Sequence, residues 1–234
     1  MGINVSQQCC CCFWGIKQEI NSETQNEKSS NPFPPEEILK SLDQAKSRVL
    51  LLLEQEYEDF YNGPQCKIGL VESQKGHIFR IIFTVPHSPL QLVNFLDHNP
   101  RNTWDKYVES CNKLAIHSMY SIIYIKYKGS ISYSSKEIII ACNRENTPNG
   151  FLSYFTSVPH EKISENSDKI EVFEGGYLAR GDDSTEMIVV VHAKFGNNSL
   201  TKLIQKISEK FVLELVCKIC EIMRFDEEKS YSIV

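Results

Sequence analysis

A series of short strand-like segments without helical connections between them constrains the fold of this sequence most. Two long segments with apolar side chains at helical spacing, residues 36–61 and 199–225, flank the series. Two strand-like segments and two short helices come first, at 66–72, 76–85, 90–98 and 101–109. Six further strand-like segments follow, at 113–119, 121–128, 136–143, 150–158, 169–180 and 185–195. Because strands in series without helical crossovers form antiparallel sheets, the sequence predicts an α+β fold with long helices covering one sheet.

The 234 residues divide into one domain and two tails. Residues 15–31 are rich in Gln, Asn, Ser and Glu and offer little to bury, which is typical of a disordered segment. The sequence therefore predicts an N-terminal tail over 1–31, a domain over 32–228 and a flexible C-terminal tail over 229–234.

Several function classes are disfavoured by charge and by missing motifs. The formal net charge of −5 does not supply the concentrated Lys and Arg that neutralise nucleic-acid phosphates. The sequence has no G-x-S-x-G, no phosphate-binding Gly loop and no H-E-x-x-H, and its six histidines are not spaced as metal ligands. We therefore predict no nucleic-acid partner, no metal, no cofactor, no catalytic residue and no enzyme activity.

Nine cysteines are more than a plain cytosolic domain needs. An odd and uneven set is a poor disulfide framework. Five of them lie scattered in apolar segments, where we expect them to pack as small hydrophobic side chains: Cys66, Cys111, Cys142, Cys217 and Cys220. The other four, Cys9 to Cys12, are consecutive, so they cannot easily converge on one tetrahedral metal ion.

The N-terminus combines these four cysteines with a second lipidation signal. Residues 1–6 match the pattern M-G-x-x-x-[ST], in which Gly2 is myristoylated. One myristoyl chain binds membranes only weakly, and palmitoylation of Cys9, Cys10, Cys11 and Cys12 would supply the second anchor. The sequence thus predicts a peripheral, lipid-anchored protein at the cytoplasmic face of a membrane. The alternative is a disordered tail that carries these residues by coincidence.

The strand-like segments are apolar enough to enclose an interior. In 185–195, Met187, Val189, Val191 and Ala193 share one face, while the other face is mixed. Residues 138–142 are apolar on both faces. A curved sheet with a helix across its concave side can close around a hollow for a hydrophobic ligand or around a packed core, and the periodicity alone leaves both open.

Three segments resemble motifs of a known protein family. Arg101-Asn102-Thr103-Trp104-Asp105 resembles the R-x-x-W-D segment of START (steroidogenic-acute-regulatory-related lipid transfer) domains. Residues 135–139 resemble the S-x-R-D-hydrophobic start of a strand in that family, with Lys136 and Glu137 in place of Arg and Asp. Residues 175–178 followed by 187–191 look like the last hairpin of the family. The resemblance covers about 35–225 and implies a helix-grip fold, a curved antiparallel β-sheet gripping a long C-terminal α-helix.

The resemblance also implies a function and a site. The chain would bind a single lipid, a phospholipid or a sterol, in an internal apolar cavity, as a membrane-tethered module for lipid binding, transfer or sensing. Trp104 is expected to pack rather than to contact the ligand. The residues expected to line the cavity are Lys136, Ile138, Ile140, Cys142, Met187, Val189 and Val191, with Leu203, Ile207 and Phe211 on the lid helix.

Two other functions stay open. The chain could be a membrane-anchored adaptor with a filled core, and Ser232-Ile233-Val234 has the S-x-hydrophobic ending that PDZ domains bind. It could also be an enzyme of the same fold that acts on a lipid or a thioester. A histidine or carboxylate of the cavity within hydrogen-bonding reach of a nucleophile would favour the enzyme. A monomer is expected in every case.

Overall fold

A computed structural model describes residues 35–64, 66–99, 101–129, 135–159, 171–194, 213–214 and 216–223. These residues form nine antiparallel strands and the helices around them. The predicted lipidation sites, Gly2 and Cys9 to Cys12, lie outside these residues. The lid residues Leu203, Ile207 and Phe211 and the ending Ser232–Val234 lie outside them as well.

The elements follow the predicted order of a helix, strands, two short helices and further strands. They are α1 (Pro35–Glu54), β1 (Glu58–Asn62), β2 (Cys66–Ser73), β3 (Gly76–Val85), α2 (Pro89–His98), α3 (Arg101–Trp104), β4 (Val108–Ile116), β5 (Ser121–Tyr127), β6 (Lys136–Thr147), β7 (Gly150–Ser157), β8 (Glu171–Arg180) and β9 (Thr185–Lys194). Residues 213–214 and 216–223 are helical. The strands form one sheet in the order β1-β2-β3-β9-β8-β7-β6-β5-β4, so the predicted antiparallel α+β fold is confirmed.

The first helix is shorter than predicted, and a strand follows it. Helix α1 ends at Glu54, and β1 pairs with β2 as its antiparallel neighbour. Aromatic residues favour strands, and this segment carries Tyr57, Phe60 and Tyr61. The Tyr57 hydroxyl donates to the Leu52 carbonyl at 3.0 Å, which ties the chain to the last turn of the helix as it changes direction.

Helix α3 is also shorter than predicted, and β4 begins at Val108 rather than at residue 113. The Asp105 side chain explains the early end of the helix. Its carboxylate accepts the Tyr107 amide at 3.0 Å, and its carbonyl accepts the Val108 amide at 3.0 Å. An Asp that bonds the backbone two residues on favours a turn over further helix.

Helix α1 covers one side of the sheet, the outer face. The helix buries Ile38, Leu42, Ala45, Val49 and Leu52 at its predicted apolar positions, and most of them pack on outward side chains of the central strands. The approach is closest at β8, where a Cβ on Gly176 would lie 2.3 Å from the Ser153 carbonyl oxygen and 2.8 Å from Val49 Cγ1. Glycine at this position therefore lets the helix lie directly on the sheet.

The opposite side, the inner face, packs against α2, α3 and the C-terminal helical residues. Helix α2 begins with a capping box, since the Ser88 hydroxyl accepts the Gln91 amide and the Gln91 side chain accepts the Ser88 amide. The helical residues Val216, Ile219 and Met223 are buried in the same cluster as α2. In the part of the chain that the structure covers, no helix combines the length and the apolarity needed to span a bilayer.

Three of the five scattered cysteines occupy the core as predicted. Cys66, Cys111 and Cys142 are buried on three different strands. The prediction is wrong for Cys217, which is exposed, and Cys220 is only half-buried. Within this short helix Val216 and Ile219 take the buried positions, so Cys217 lies on the solvent side.

Candidate functional site

The inner face of strand β6 is apolar and buried. Ile138, Ile140 and Cys142 pack together there, with at most 2% of each residue exposed. Ile139 and Ala141 alternate with them and contact α1 on the outer face. Three of the four predicted cavity residues of this strand therefore lie in one apolar cluster.

Strand β9 continues this surface across the sheet. Met187 and Val189 lie in the cluster that contains α2 and the C-terminal helical residues. Half-buried Val191 packs against that cluster and also against the cluster around Ile140. We call the combined surface the inner apolar face; from the central strands it takes Ile123, Ile125, Ile138, Ile140, Cys142, Phe155, Val172, Tyr177, Met187, Val189, Val191 and Ala193.

Helices cover one end of the inner apolar face. The buried side chains of this cover are Leu92, Val93, Phe95, Leu96, Trp104, Val216, Ile219 and Met223. Trp104 is 4% exposed, and its indole Nε1 donates to the Asn99 carbonyl at 3.0 Å. Trp104 thus packs and holds the preceding loop, as the sequence predicts for it.

A buried ion pair lies beside this apolar surface. Arg101 Nε donates to Asp105 Oδ2 at 2.7 Å, and the side chains are 5% and 0% exposed. The guanidinium also lies over the rings of Trp104 and Tyr127, 5.9 and 5.8 Å from their centroids. Burial opposes the charge on Arg101, but Tyr127 and Asp105 outweigh it, so the pKa of Arg101 is raised. The residues of the R-x-x-W-D segment therefore form one buried polar and aromatic cluster.

Tyr127 and Lys136 lie opposite each other at one end of this surface. They are paired across β5 and β6, and both are half-buried. Burial raises the pKa of Tyr127, so its hydroxyl keeps its proton at neutral pH. Strand alternation places Lys136 on the side of Ile138, whereas Glu137 lies on the other side and accepts the Tyr124 hydroxyl at 2.9 Å. Lys136 is thus a cation of β6 that borders the inner apolar face, and Arg144 of the same strand is paired with Asp97 of α2.

An open cleft of about 450 Å³ separates residues 102–107 from the C-terminal helical residues. Glu214 Oε2 joins the two sides, because it accepts Lys106 Nζ at 2.6 Å and the Tyr107 hydroxyl at 3.0 Å. Cys217, Lys218 and Glu221 line the helical side. Polar contacts of Glu214 thus hold the C-terminal helical residues beside residues 102–107, at the edge of the helical cover of the inner apolar face.

The predicted cavity residues within the described chain come together on one surface, while the role of that surface in lipid binding stays a prediction. Sequence reasoning missed the buried pair between Arg101 and Asp105, although their i,i+4 spacing on a short helix was a usable signal. It also missed the contact between Ser73, Glu174 and His192 on the outer face, for which no spacing in the sequence gives a signal. No group of three or more metal-ligating side chains occurs in the residues that the structure describes.

Solved structures resemble this fold over most of its length. Human StAR-related lipid transfer protein 5 superposes with a TM-score of 0.71 and 10% identity, covering 82% of this chain and 99% of its own. The chain has the helix-grip fold of START domains. Human STARD10 gives a TM-score of 0.64 and 12% identity over 80% of this chain and 82% of its own, and the lipid transfer domain of human StarD13 gives 0.59 and 13% over 81% and 97%. No protein-family model matches the sequence, and a search of curated proteins finds no match.

Proposed function

We propose that the chain binds one lipid molecule, a phospholipid or a sterol, between the inner apolar face and the C-terminal helix. The observation that carries the proposal is the continuity of that face, since Val191 joins the cluster around Met187 to the cluster around Ile140. The similar human structures are described as lipid transfer proteins or domains, which supports a ligand of this class. At this face the proposed activity is binding and not catalysis.

The chemistry of the face suits an amphipathic ligand. Each CH₂ group removed from water contributes about 0.8 kcal/mol, so an acyl chain or sterol ring system gains most of its binding free energy from apolar contact. Lys136 borders the apolar surface and could meet a phosphate or hydroxyl group at the polar end of the ligand. Arg101 is already paired with Asp105, so we assign that pair to positioning α3 and Tyr127 rather than to the ligand.

Native mass spectrometry of the purified chain, followed by extraction and identification of bound lipid, tests the proposal. Delipidated protein is then offered mixed liposomes containing phosphatidylcholine, phosphatidylserine and cholesterol. Replacing half-buried Val191 with Trp places a larger side chain where the two clusters meet and should abolish uptake. Ile116→Trp is the matched control, because Ile116 is 52% exposed on β4. Failure of the delipidated wild-type chain to take up any lipid would refute the proposal.

We further propose that acyl chains on Gly2 and on Cys9 to Cys12 hold the domain at the cytoplasmic face of one membrane. Two kinds of acyl chain are needed for stable anchoring, because a single myristoyl group binds only reversibly. Metabolic labelling with alkyne fatty acids, followed by membrane fractionation, tests this step. Gly2→Ala should remove the myristate label and release the protein from membranes, and an unchanged membrane fraction would contradict the proposal.

A further inference from the structure

Three polar side chains form a hydrogen-bonded chain on the outer face, away from the proposed lipid site. Ser73 Oγ lies 2.8 Å from His192 Nε2, and His192 Nδ1 lies 2.7 Å from Glu174 Oε1. The residues come from β2, β9 and β8, and Ser73 precedes His192 by 119 positions. A nucleophile, a base and an orienting carboxylate in this order are the arrangement of a serine hydrolase, which has evolved on several unrelated folds.

The sheet fixes the positions of these side chains. His192 pairs directly with Glu174 on β8, and Ser73 closes the β2–β3 hairpin beside it. A β-bulge between Val172 and Glu174 leaves Phe173 as the extra residue, and its ring lies 4.8 Å from the His192 ring. Bulges are frequent next to active sites because they redirect side chains. Here the bulge places two consecutive residues, Phe173 and Glu174, beside the same histidine.

The neutral tautomer of His192 that fits both contacts carries its hydrogen on Nδ1. The Glu174 carboxylate can only accept, so His192 Nδ1–H donates to it and Nε2 keeps its lone pair. The Lys75 and Gly76 amides donate to Ser73 Oγ at 3.3 and 3.2 Å. Because Nε2 is then an acceptor, the Ser73 hydroxyl donates its own hydrogen to His192 Nε2. This is the protonation state in which a histidine serves as general base towards a serine.

The base and the acid are buried more deeply than the nucleophile. Ser73 is half-buried at the hairpin turn, while His192 is 6% exposed and the Glu174 side chain 12%. All three side chains line one open cleft of about 570 Å³ between α1 and the β2–β3 hairpin. Arg48 from the helix and Lys75 from the hairpin also line the cleft, and Arg48 Nε lies 3.6 Å from Glu174 Oε1 as an ion pair with the acid. Gln44 and Gln74 add amide donors. A substrate and the hydrolytic water can therefore reach Ser73 and His192 from the open cleft.

We propose that Ser73, His192 and Glu174 form a hydrolytic site for small esters or thioesters that carry an anionic group. Lys75 accounts for the preference, because a cationic side chain binds a carboxylate or phosphate and stabilises negative charge that develops on a carbonyl oxygen. The site lies across the sheet from the inner apolar face, so it is independent of lipid binding.

The reaction proceeds by acyl transfer. Ser73 Oγ attacks the carbonyl carbon while its proton moves to His192 Nε2, and the departing alcohol or thiol takes that proton as its bond to the carbonyl carbon breaks. Water then gives a proton to His192 Nε2 and attacks the acylated serine, and Ser73 Oγ leaves with the same proton. Glu174 holds the imidazole and stabilises its cationic form in both steps. One ester and one water thus become one acid and one alcohol or thiol, with no further reactant.

The test uses the full chain, a fluorophosphonate probe and two chromogenic esters, anionic mono-para-nitrophenyl succinate and neutral para-nitrophenyl acetate. We expect the probe to add once to the folded chain, with the adduct on Ser73 in peptide mass spectrometry. We also expect faster cleavage of the anionic ester than of the neutral one. Ser73→Ala and His192→Asn should each lower the cleavage rate at least about 100-fold, since general-base catalysis contributes about 10²–10⁴-fold.

Ser118→Ala is the matched control, because Ser118 is an exposed serine in the turn before β5. This variant should keep both labelling and cleavage. Ser73 is only half-buried, so Ser73→Ala carries the test even where His192→Asn fails to fold, and lipid uptake by Ser73→Ala should equal that of the wild type. Absence of the Ser73 adduct, or cleavage by Ser73→Ala at the wild-type rate, would overturn the hydrolytic site without affecting the proposed lipid binding.

Discussion

Replacing Asp105 with Asn would test whether the buried pair with Arg101 holds the helical cover of the inner apolar face. The pair joins α3 to the turn before β4, and the two side chains are 5% and 0% exposed with a 2.7 Å hydrogen bond. Asn keeps the size of the side chain and can still accept the Tyr107 amide. The substitution therefore removes the negative charge and leaves Arg101 charged and buried, because a guanidinium does not lose its proton in a protein.

The expected cost follows from the burial of the cation. Breaking a buried pair by removing one partner costs about 3–5 kcal/mol, since the other charge remains without compensation. The rings of Trp104 and Tyr127 lie near the guanidinium in both proteins, so their contributions of about 0.5–2 kcal/mol each cancel in the comparison. We therefore expect the free energy of unfolding to fall by about 3–5 kcal/mol. Replacing both partners, Arg101→Met with Asp105→Leu, should recover most of the loss, because apolar groups of similar volume often substitute for a buried pair.

Urea denaturation, followed by circular dichroism and Trp fluorescence, measures the free energy of unfolding of the wild type, of Asp105→Asn and of the double replacement. Glu186→Gln is the control, because Glu186 also accepts an Arg side chain, Arg180, but that pair is 50% and 41% exposed. Exposed pairs contribute about 0–1 kcal/mol, so the control should change little. If Asp105→Asn costs no more than the control, or if the double replacement is less stable than Asp105→Asn alone, the account of this cluster as a buried ion pair is wrong.

Three further changes probe other parts of the fold. Gly176→Ala should cost about 1–3 kcal/mol in urea denaturation, because its methyl group would lie 2.3 Å from the Ser153 carbonyl oxygen and 2.8 Å from Val49 Cγ1, so both β7 and α1 would have to shift. Ser88→Ala removes the N-cap of α2 and should cost about 0.5–2 kcal/mol by the same measurement, whereas Ser88→Asp should cost less. Burial raises the pKa of Tyr57 from 10.0 to about 12, so the folded chain holds the phenol proton more tightly than the unfolded chain. The proton on Tyr57 therefore stabilises the folded chain fully below pH 10, and this stabilisation is lost as the pH rises through about 12. In Tyr57→Phe the free energy of unfolding should fall less over the same pH range.

The inner apolar face could be predicted from sequence because its signal is local. Met187, Val189 and Val191 alternate with other residues, and a strand of period two turns such a set to one side. The same rule placed Ile138, Ile140 and Cys142 together, even though β6 is apolar on both faces. Alternation does not predict which element packs on each face of the sheet. Here α1 packs on one face, and α2 and the C-terminal helical residues pack on the other.

The predicted ends of α1 and β4 differ from the observed ones because contacts with residues outside each element determine them. The apolar period of α1 continues past Glu54 in the sequence, since Phe60 occupies a position that would fit the helical stripe. Pairing of β1 with β2 prevails because the edge of the sheet offers hydrogen bonds that a longer helix would leave unmade. The early start of β4 likewise depends on hydrogen bonds from Asp105, whose carboxylate is held by Arg101.

The contact between Ser73, His192 and Glu174 on the outer face could not be predicted from the sequence. Ser73, Glu174 and His192 belong to three strands, and their meeting requires the order β2-β3-β9-β8, which no local pattern specifies. Yet the apolar face constrains that order and its register, because a slip of one residue on β9 would turn Val191 outward and His192 inward. The packing that builds the inner apolar face therefore also holds His192 against Glu174. A hydrolytic site on this sheet would need no stabilising contacts beyond those that already hold the inner apolar face.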